Sequence, residues 1–467
     1  MFIKSFFTNS VGILLSRIFG FIRDLLMASI LGANIYSDIF FVAFKLPNLF
    51  RRIFAEGAFT QSFIPNFAKA EKKSLFAYRV FIKFILFLVI FSLIVTLFSD
   101  FFTKFIAIGF DEKDIKLAST FVAINFYYLP LIFCVSFFAA LLQYKNHFAT
   151  TAFSTTLLNI SLITALLISK DLNKIEIVYA LSYGVLIGGI LQVIAHIIAL
   201  KQKRLLKIFI VGFKLSRKTE EQKQSKIFYR SFYHAILGNS TAQISAFLDT
   251  WLASFLVSGS ISYLYYGNRV FQLPLALFAI ALSVGIFPKI AKMLKKGDEK
   301  EALFLMGNSF WFLTFILSLS MIGGIILSDE IIKLLFQRGS FSEIDAYHTS
   351  QVLTMYLVGL LPFGLSKIFS LWLYSKNLQK KAAKISMYSL TSNVFLSLLL
   401  IKPLGVMGLA LASSISGFVL FVFTLRAFGV KEFLDIITLQ KTILLIVSLI
   451  IEVAILLWLK GIIDVYL

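Results

Sequence analysis

Three charged residues stand inside a run that is otherwise apolar: Arg17, Arg23 and Asp24 in "LLSRIFGFIRDLL", residues 14–26. On a helix Arg17 and Asp24, seven apart, share a face, and Arg23 points roughly a third of a turn away. The next apolar run repeats the arrangement. Asp38, Lys45 and Arg52 are spaced by sevens, and Glu56 follows four later. Pro47 lies among them and can kink the helix, which would turn Arg51 inward in place of Arg52. Arg269 stands five residues before Pro274 in a later run. An Arg or Lys at the bilayer centre costs ~2.5–3.5 kcal/mol on insertion scales, so several of them together are not decoration. Arg51, Arg52 and Glu56 lie near a helix end, where snorkelling to the interface is an equal alternative, and Arg23 with Asp24 also fits a structural pair. Arg17, Lys45 and Arg269 have no such exit. Cations outnumber Asp24 and Asp38, and buried surplus cations call for an anionic ligand. Arginine suits phosphate through its forked, permanently charged geometry. The expected chemistry is binding: a water-filled cavity that receives an anionic substrate.

Other candidates carry less. Asp249, in "AFLDTWLAS", is the one acid in the middle of its run, and an intramembrane acid is an ion or proton site by default. No cation of its own helix lies within a turn or two, and it is expected in the second half of the chain, away from the cationic cavity. A neutral acid bonded to Thr250 or Gln243 is the bland alternative. Asn159, in "TTLLNISLI", suits helix–helix hydrogen bonding. His147, His196, His234 and His348 are scattered without metal spacing, and no metal site is assigned. Cys134 has no partner within the chain for a disulfide, and Glu452 is unexplained. No Gly-rich phosphate loop, nucleophile elbow or zinc spacing occurs.

The elements that must hold these charges are membrane helices. Of 467 residues, 59% are hydrophobic and 15% charged, against about 25% charged in soluble domains. Apolar runs long enough for a ~30 Å hydrocarbon core recur along the chain. They lie near 5–30, 36–56, 75–99, 118–143, 148–169, 176–200, 228–257, 262–290, 302–327, 346–374, 381–401, 404–426 and 441–462. The first is too long, and too charged in its middle, for a cleavable signal peptide. The net charge of +21 invites a nucleic-acid role, but the placement of the cations excludes it. They crowd into alternate connections, such as "KQKRLLK" and "KMLKKGDEK", while "LGANIYS" and "SGSIS" have none. That asymmetry places the N-terminus and segments 57–74, 201–227 and 291–301 inside, and thirteen spans leave the C-terminus outside.

The chain also echoes itself. "FKLPNLF" and "FQLPLALF" share a proline at an offset of 227 residues, and "LLQYKNH" and "LWLYSKN" an asparagine at 231. Two matches at nearly one spacing point to a duplicated six-helix unit in parallel orientation, the build of many transporters. The expected fold is an all-α polytopic membrane protein with two six-helix lobes around a central cationic cavity. The lobes are read at 1–200 and 228–426, joined by a basic linker at 201–227, with an extra membrane segment at 427–467.

The run "SRIFGFIRDLLMASILGANIYSDIFFVAFKLPNLFRRIFAEGAFTQSFIP" closely resembles the N-terminal part of the MurJ family of lipid II flippases, within the multidrug/oligosaccharidyl-lipid/polysaccharide exporter superfamily. The resemblance continues through "TLLNIS" and "SGSISYLYYGNRVFQLP" and covers about residues 1–430. It implies a flippase, not an enzyme, that carries the undecaprenyl-pyrophosphate-linked peptidoglycan precursor across the bacterial inner membrane by alternating access. The family's functional positions fall on Arg17, Arg23, Asp24, Asp38, Lys45, Arg51, Glu56 and Arg269, with Asn48 and Asn159 as further cavity residues; Arg52 stays a candidate from its spacing alone. Three departures are visible. Gln272 stands where many relatives carry an acid. "YSKNLQKKA" lacks an acid found in sodium-binding members, although Asp249 matches one sodium ligand. The family usually has fourteen spans. No cofactor is expected; sodium, protons and the membrane potential stand as alternative energy sources. Lipid II, membrane lipids and other cell-wall synthesis proteins are the expected partners, and a monomer is expected to suffice. The rivals are a flippase for another polyprenyl-linked saccharide, a multidrug antiporter of the superfamily, and a membrane glycosyltransferase. An antiporter favours a cavity rich in acids, and a glycosyltransferase needs a catalytic carboxylate on a sizeable outside loop.

Overall fold

The computed structural model describes residues 2–55, 58–217, 223–239 and 241–466; on these stretches a few side chains, Arg52 among them, fall outside the description. Among the described residues helices predominate and no strand occurs. They divide into two compact units. One runs to Gly259 and takes in Arg338–Ser340; the other holds Ser260–Gln337 and Phe341–Leu467.

In the first unit the helices are α1 (Phe2–Leu31), α2 (Ile35–Ala55), α3 (Ala58–Lys69), α4 (Lys73–Leu97), α5 (Ser99–Ile106), α6 (Glu112–Phe126), α7 (Tyr128–Tyr144), α8 (Ala149–Ser169), α9 (Lys174–Gln202), α10 (Lys207–Ser216), α11 (Lys223–Asn239) and α12 (Thr241–Ala253). Helix α8 packs against both α1 and α9. Glycine permits the approach: a Cβ on Gly12 would lie 2.7 Å from that of Ala152, and one on Gly188 would lie 2.9 Å from the Leu158 Cα. Phenylalanines make up much of this unit's core. Phe59, Phe63, Phe76, Phe133, Phe137 and Phe228 are all buried, with ring centroids such as 5.3 Å for Phe59–Phe63 and 5.0 Å for Phe63–Phe137.

The second unit comprises α13 (Ser260–Pro274), a π-helical turn at Leu275–Ile280, α14 (Ala281–Lys296), α15 (Glu299–Ile326), α16 (Ser328–Phe336), α17 (Glu343–Leu357), α18 (Leu360–Ser375), α19 (Gln379–Phe428), α20 (Val430–Ile436) and α21 (Leu439–Tyr466). Helix α19 is two helices in one, broken at Gly405, whose φ is 56°. That break falls at the start of the segment read at 404–426, one residue past the boundary drawn there. Among the described residues eight helical stretches, α6 with α7 and α13 through α14 counted as one each, are long and apolar enough to cross a membrane, and α17 with α18, bent by 40°, makes a ninth. Each of the thirteen apolar segments coincides with a helix, part of one, or a bent or interrupted pair.

Two segments read as connections are largely helical. Segment 57–74 contains α3, and segment 201–227 contains α10 and the start of α11. In both, apolar residues at helical spacing find a partner helix, α11 for α3 and α4 for α10. The echoed asparagines turn out to be one backbone device used twice. Asn146 and Asn377 have φ of 57° and 59°. Each follows a helix end where the next N–H reaches back to the carbonyl five residues earlier, His147 to Leu142 and Leu378 to Leu373. This is the left-handed cap that asparagine tolerates better than most residues.

Candidate binding site

Helix α1 brings Arg23 and Asp24 side by side, and α8 supplies the third member. The Arg23 Nη2 and Nε donate to Asp24 Oδ1 at 2.6 and 3.0 Å, and Nη1 donates to Asn159 Oδ1 at 3.0 Å. The other end of the same carboxamide, Asn159 Nδ2, donates to the Ser16 carbonyl at 3.0 Å. Asp24 is fully buried and Arg23 is 13% exposed. A buried pair of this kind survives because each charge is satisfied by the other and by hydrogen bonds. Asn159 therefore fixes the plane of a guanidinium and ties α1 to α8; the helix–helix role read from its setting is the one its atoms perform.

Helix α2 carries the second group. Asp38, in its first turn and buried, accepts the Gly259 N–H at 2.7 Å. Its carboxylate is engaged by backbone at a helix start, where negative charge is favourable. Asn48 Oδ1 accepts from Arg51 Nε at 2.9 Å, so Arg51 folds back one turn along its own helix. The field of Arg51 reaches the phenol of Tyr128, a buried residue whose hydroxyl donates to Gln192 Oε1 at 3.3 Å. Gln192 Nε2 in turn donates to the Ser154 carbonyl at 3.0 Å, which links α7, α9 and α8 beneath the charges.

Asp249 corrects an expectation. It does not stand apart from the cationic residues: α12 packs against α2 and α5 in the first unit, and the field of Lys45 reaches Asp249. Its Oδ1 is buried without a hydrogen-bond partner among the described residues. Helical spacing on one segment could not reveal this, because the cation comes from another helix two hundred residues earlier. Arg17 is exposed on α1, beside exposed Leu14 and Ile18. The Arg52 side chain and all of Glu56 lie outside the described residues.

In the second unit Arg269 lies over the Tyr265 ring, 5.9 Å from its centroid. One turn on, Gln272 donates its amide to Asn268. A further cation escaped the sequence reading. Lys367, on α18, is surrounded by protein yet solvent-reachable, while its neighbours Ser366, Ile368 and Phe369 are buried. The signal was there: like Arg269, Lys367 is a lone cation deep in an apolar run, five residues from a proline, Pro362. Among the described residues no three His, Cys, Asp or Glu side chains group as metal ligands.

The chain has clear relatives. The family described as "Lipid II flippase MurJ" matches residues 27–466. The curated protein "Probable lipid II flippase MurJ" of Helicobacter pylori is 53% identical over 435 residues, covering 91% of this chain and 94% of that one. A protein of the same description from Aquifex aeolicus is 37% identical over 418 residues, or 87% and 79% of the two chains. A solved structure described as "Lipid II flippase MurJ, inward closed conformation" matches with a TM-score of 0.77 at 24% identity, over 98% of this chain and 97% of that one. An inward-facing multidrug resistance MATE family transporter matches with a TM-score of 0.70 at 10% identity, over 92% and 98%. At such identities the solved structures speak for the fold alone.

Proposed function

The chain belongs to the MurJ family of lipid II flippases, and from that premise we propose that it moves lipid II from the inner to the outer leaflet of the bacterial inner membrane. The observation that carries this reading is the Arg23 guanidinium, held by Asp24 and Asn159 in a unit that also contains Arg17, Lys45 and Arg51. A pyrophosphate is suited by fixed, permanently charged forks, and Arg23 is held as one. The headgroup binds to these cations, the protein changes the side to which they open, and the undecaprenyl tail stays in lipid throughout. No covalent bond is made or broken. Arg269 and Lys367 are the cations set within apolar segments of the second unit. Asn159 positions Arg23, and Asp38 acts through the backbone amide it holds.

The N-terminus lies in the cytoplasm. An inside-negative potential draws the emptied cationic site back toward the inside, with ~2.3 kcal/mol available per charge per 100 mV. The field of Lys45 reaches Asp249, and the membrane potential is the energy source we propose. Depleting the protein and locating lipid II tests the function itself. Accumulation in the inner leaflet supports it; accumulation in the outer leaflet would move the defect to a later step and remove the flippase assignment.

A further inference from the structure

Helix α10, inside the segment read as a linker, has ten residues. At 1.5 Å per residue it is about 15 Å long, half of what a hydrocarbon core requires. It cannot span, and it is not loose. Phe209 packs against Phe81 at 5.2 Å and Phe138 at 5.9 Å. Gly212 lies so close to α4 that a Cβ there would sit 2.4 Å from the Ser74 carbonyl oxygen. Phe213 meets Tyr78 at 5.9 Å, and Arg79 Nη2 donates to the Ser216 carbonyl at 3.5 Å. The inward side therefore reads Phe209, Gly212 and Ser216, with Phe213 at its margin, 44% exposed.

The outward side, by the same helical geometry, reads Lys207, Ile210, Val211, Lys214 and Arg217. All five are exposed, Ile210 by 60% and Val211 by 44%. Just upstream, Lys201, Lys203 and Arg204 are exposed as well, and no acid occurs from residue 201 to 217. Two branched aliphatic side chains flanked by cations, on a short helix clamped along the edge of a membrane domain, match neither water nor hydrocarbon. They match the boundary between them, where apolar groups enter the acyl region and ammonium and guanidinium groups meet phosphates.

We propose that the outward face of α10, with Lys201, Lys203 and Arg204, is a docking surface for anionic phospholipid headgroups of the inner leaflet. The occupant follows from charge complementarity: six cations without an acid repel one another unless phosphates lie between them. The rigid seat on α4 makes this a fixed platform, so anionic lipid gathers at one edge of the first unit. The proposal rests on the reading of segment 201–227 as cytoplasmic, and it is independent of which lipid the central cations carry.

The test uses full-length protein reconstituted in mixed phosphatidylcholine and phosphatidylglycerol vesicles. Val211→Cys, in a Cys134→Ala background, carries a fluorescent label, and brominated chains are placed on one lipid species at a time. Brominated phosphatidylglycerol is expected to quench more strongly than brominated phosphatidylcholine. That preference should fall about fivefold for each of Lys207, Lys214 and Arg217 changed to Gln, the factor equivalent to ~1 kcal/mol per basic residue at an anionic surface, and high salt should weaken it. Equal quenching by the two lipids overturns the proposal, as does a preference untouched by the Gln changes. Absence of quenching by either lipid would put the face in water and overturn it too. Lipid II binding by the same Gln variants is expected to be normal; failed lipid II transport with an intact phosphatidylglycerol preference would count against the flippase reading alone.

Discussion

Arg23 differs from an ordinary buried arginine in what surrounds it. A carboxylate and a carboxamide hold its plane from two sides, so its direction is set before any ligand arrives. Arg23→Lys keeps the charge beside Asp24 and loses the fork. Lipid II affinity is expected to fall about 10- to 100-fold, the scale of a charge-assisted hydrogen bond worth 1.5–3 kcal/mol, while thermal stability stays near that of the parent. Asn159→Ala should weaken lipid II binding as well, but only through Arg23. In an Arg23→Lys background the second change should cost much less than it does alone, and a binding measurement on the four proteins decides it. Additive losses would mean that Asn159 touches the substrate itself. Asp249 is different again, being the counter-charge that the field of Lys45 reaches. Asp249→Asn should leave lipid II affinity equal or higher, because Lys45 loses a competitor for the pyrophosphate, yet slow transport. Flipping assayed with and without sodium checks this; a sodium-dependent parent and a sodium-independent variant would restore an ion site at Asp249.

Among the helices, close approach sets the architecture of the first unit. Gly188 lets α9 lie against the backbone of α8 at Leu158. Gly188→Leu must push the two helices apart, and overpacking of this kind costs ~1–3 kcal/mol; thermal unfolding in detergent should show the loss, and transport should fall because α8 carries Asn159. The repeated asparagine caps give a second test. Asn146→Gly should be tolerated, since glycine adopts a positive φ readily. Asn146→Val should destabilise by ~1–2 kcal/mol, because a branched side chain resists the left-handed conformation. Equal stability of the two variants would show that the cap has no energetic weight.

For the chain as a whole, the distribution of Lys and Arg predicts which ends face inward. Single cysteines in α10 should react only with reagent applied from the cytoplasmic side, and those in α16 only from the outside. The same labelling at the end of α21 should report an outside C-terminus. An inside C-terminus would mean that α21, which packs chiefly against α15, does not cross. Two compact units meet the expectation of a duplicated chain in number, but the first extends to Gly259 and so takes in α11 and α12. A repeat reflects how segments descend and pair in sequence, whereas a compact unit reflects which surfaces pack; aromatic contacts such as Phe59–Phe228 and Phe84–Phe232 hold α11 with the first unit.

Sequence by itself determined the class of the protein and its helical segments, and it named the charged residues within the apolar runs. Each of these follows from local cost: an apolar run long enough to cross, or a charge too expensive to bury idly, announces itself without knowledge of its neighbours. Partnership could not be read that way. That Arg23 is shared between Asp24 and Asn159, that Asp38 holds the Gly259 amide and that Lys45 reaches Asp249 all depend on which helices lie side by side. So does the promotion of segment 201–217 from linker to a helix seated on α4. Periodicity states which face of a helix is polar, but only packing against a particular neighbour decides what that face meets, because a hydrogen bond or ion pair forms across a few ångströms between residues far apart in the chain.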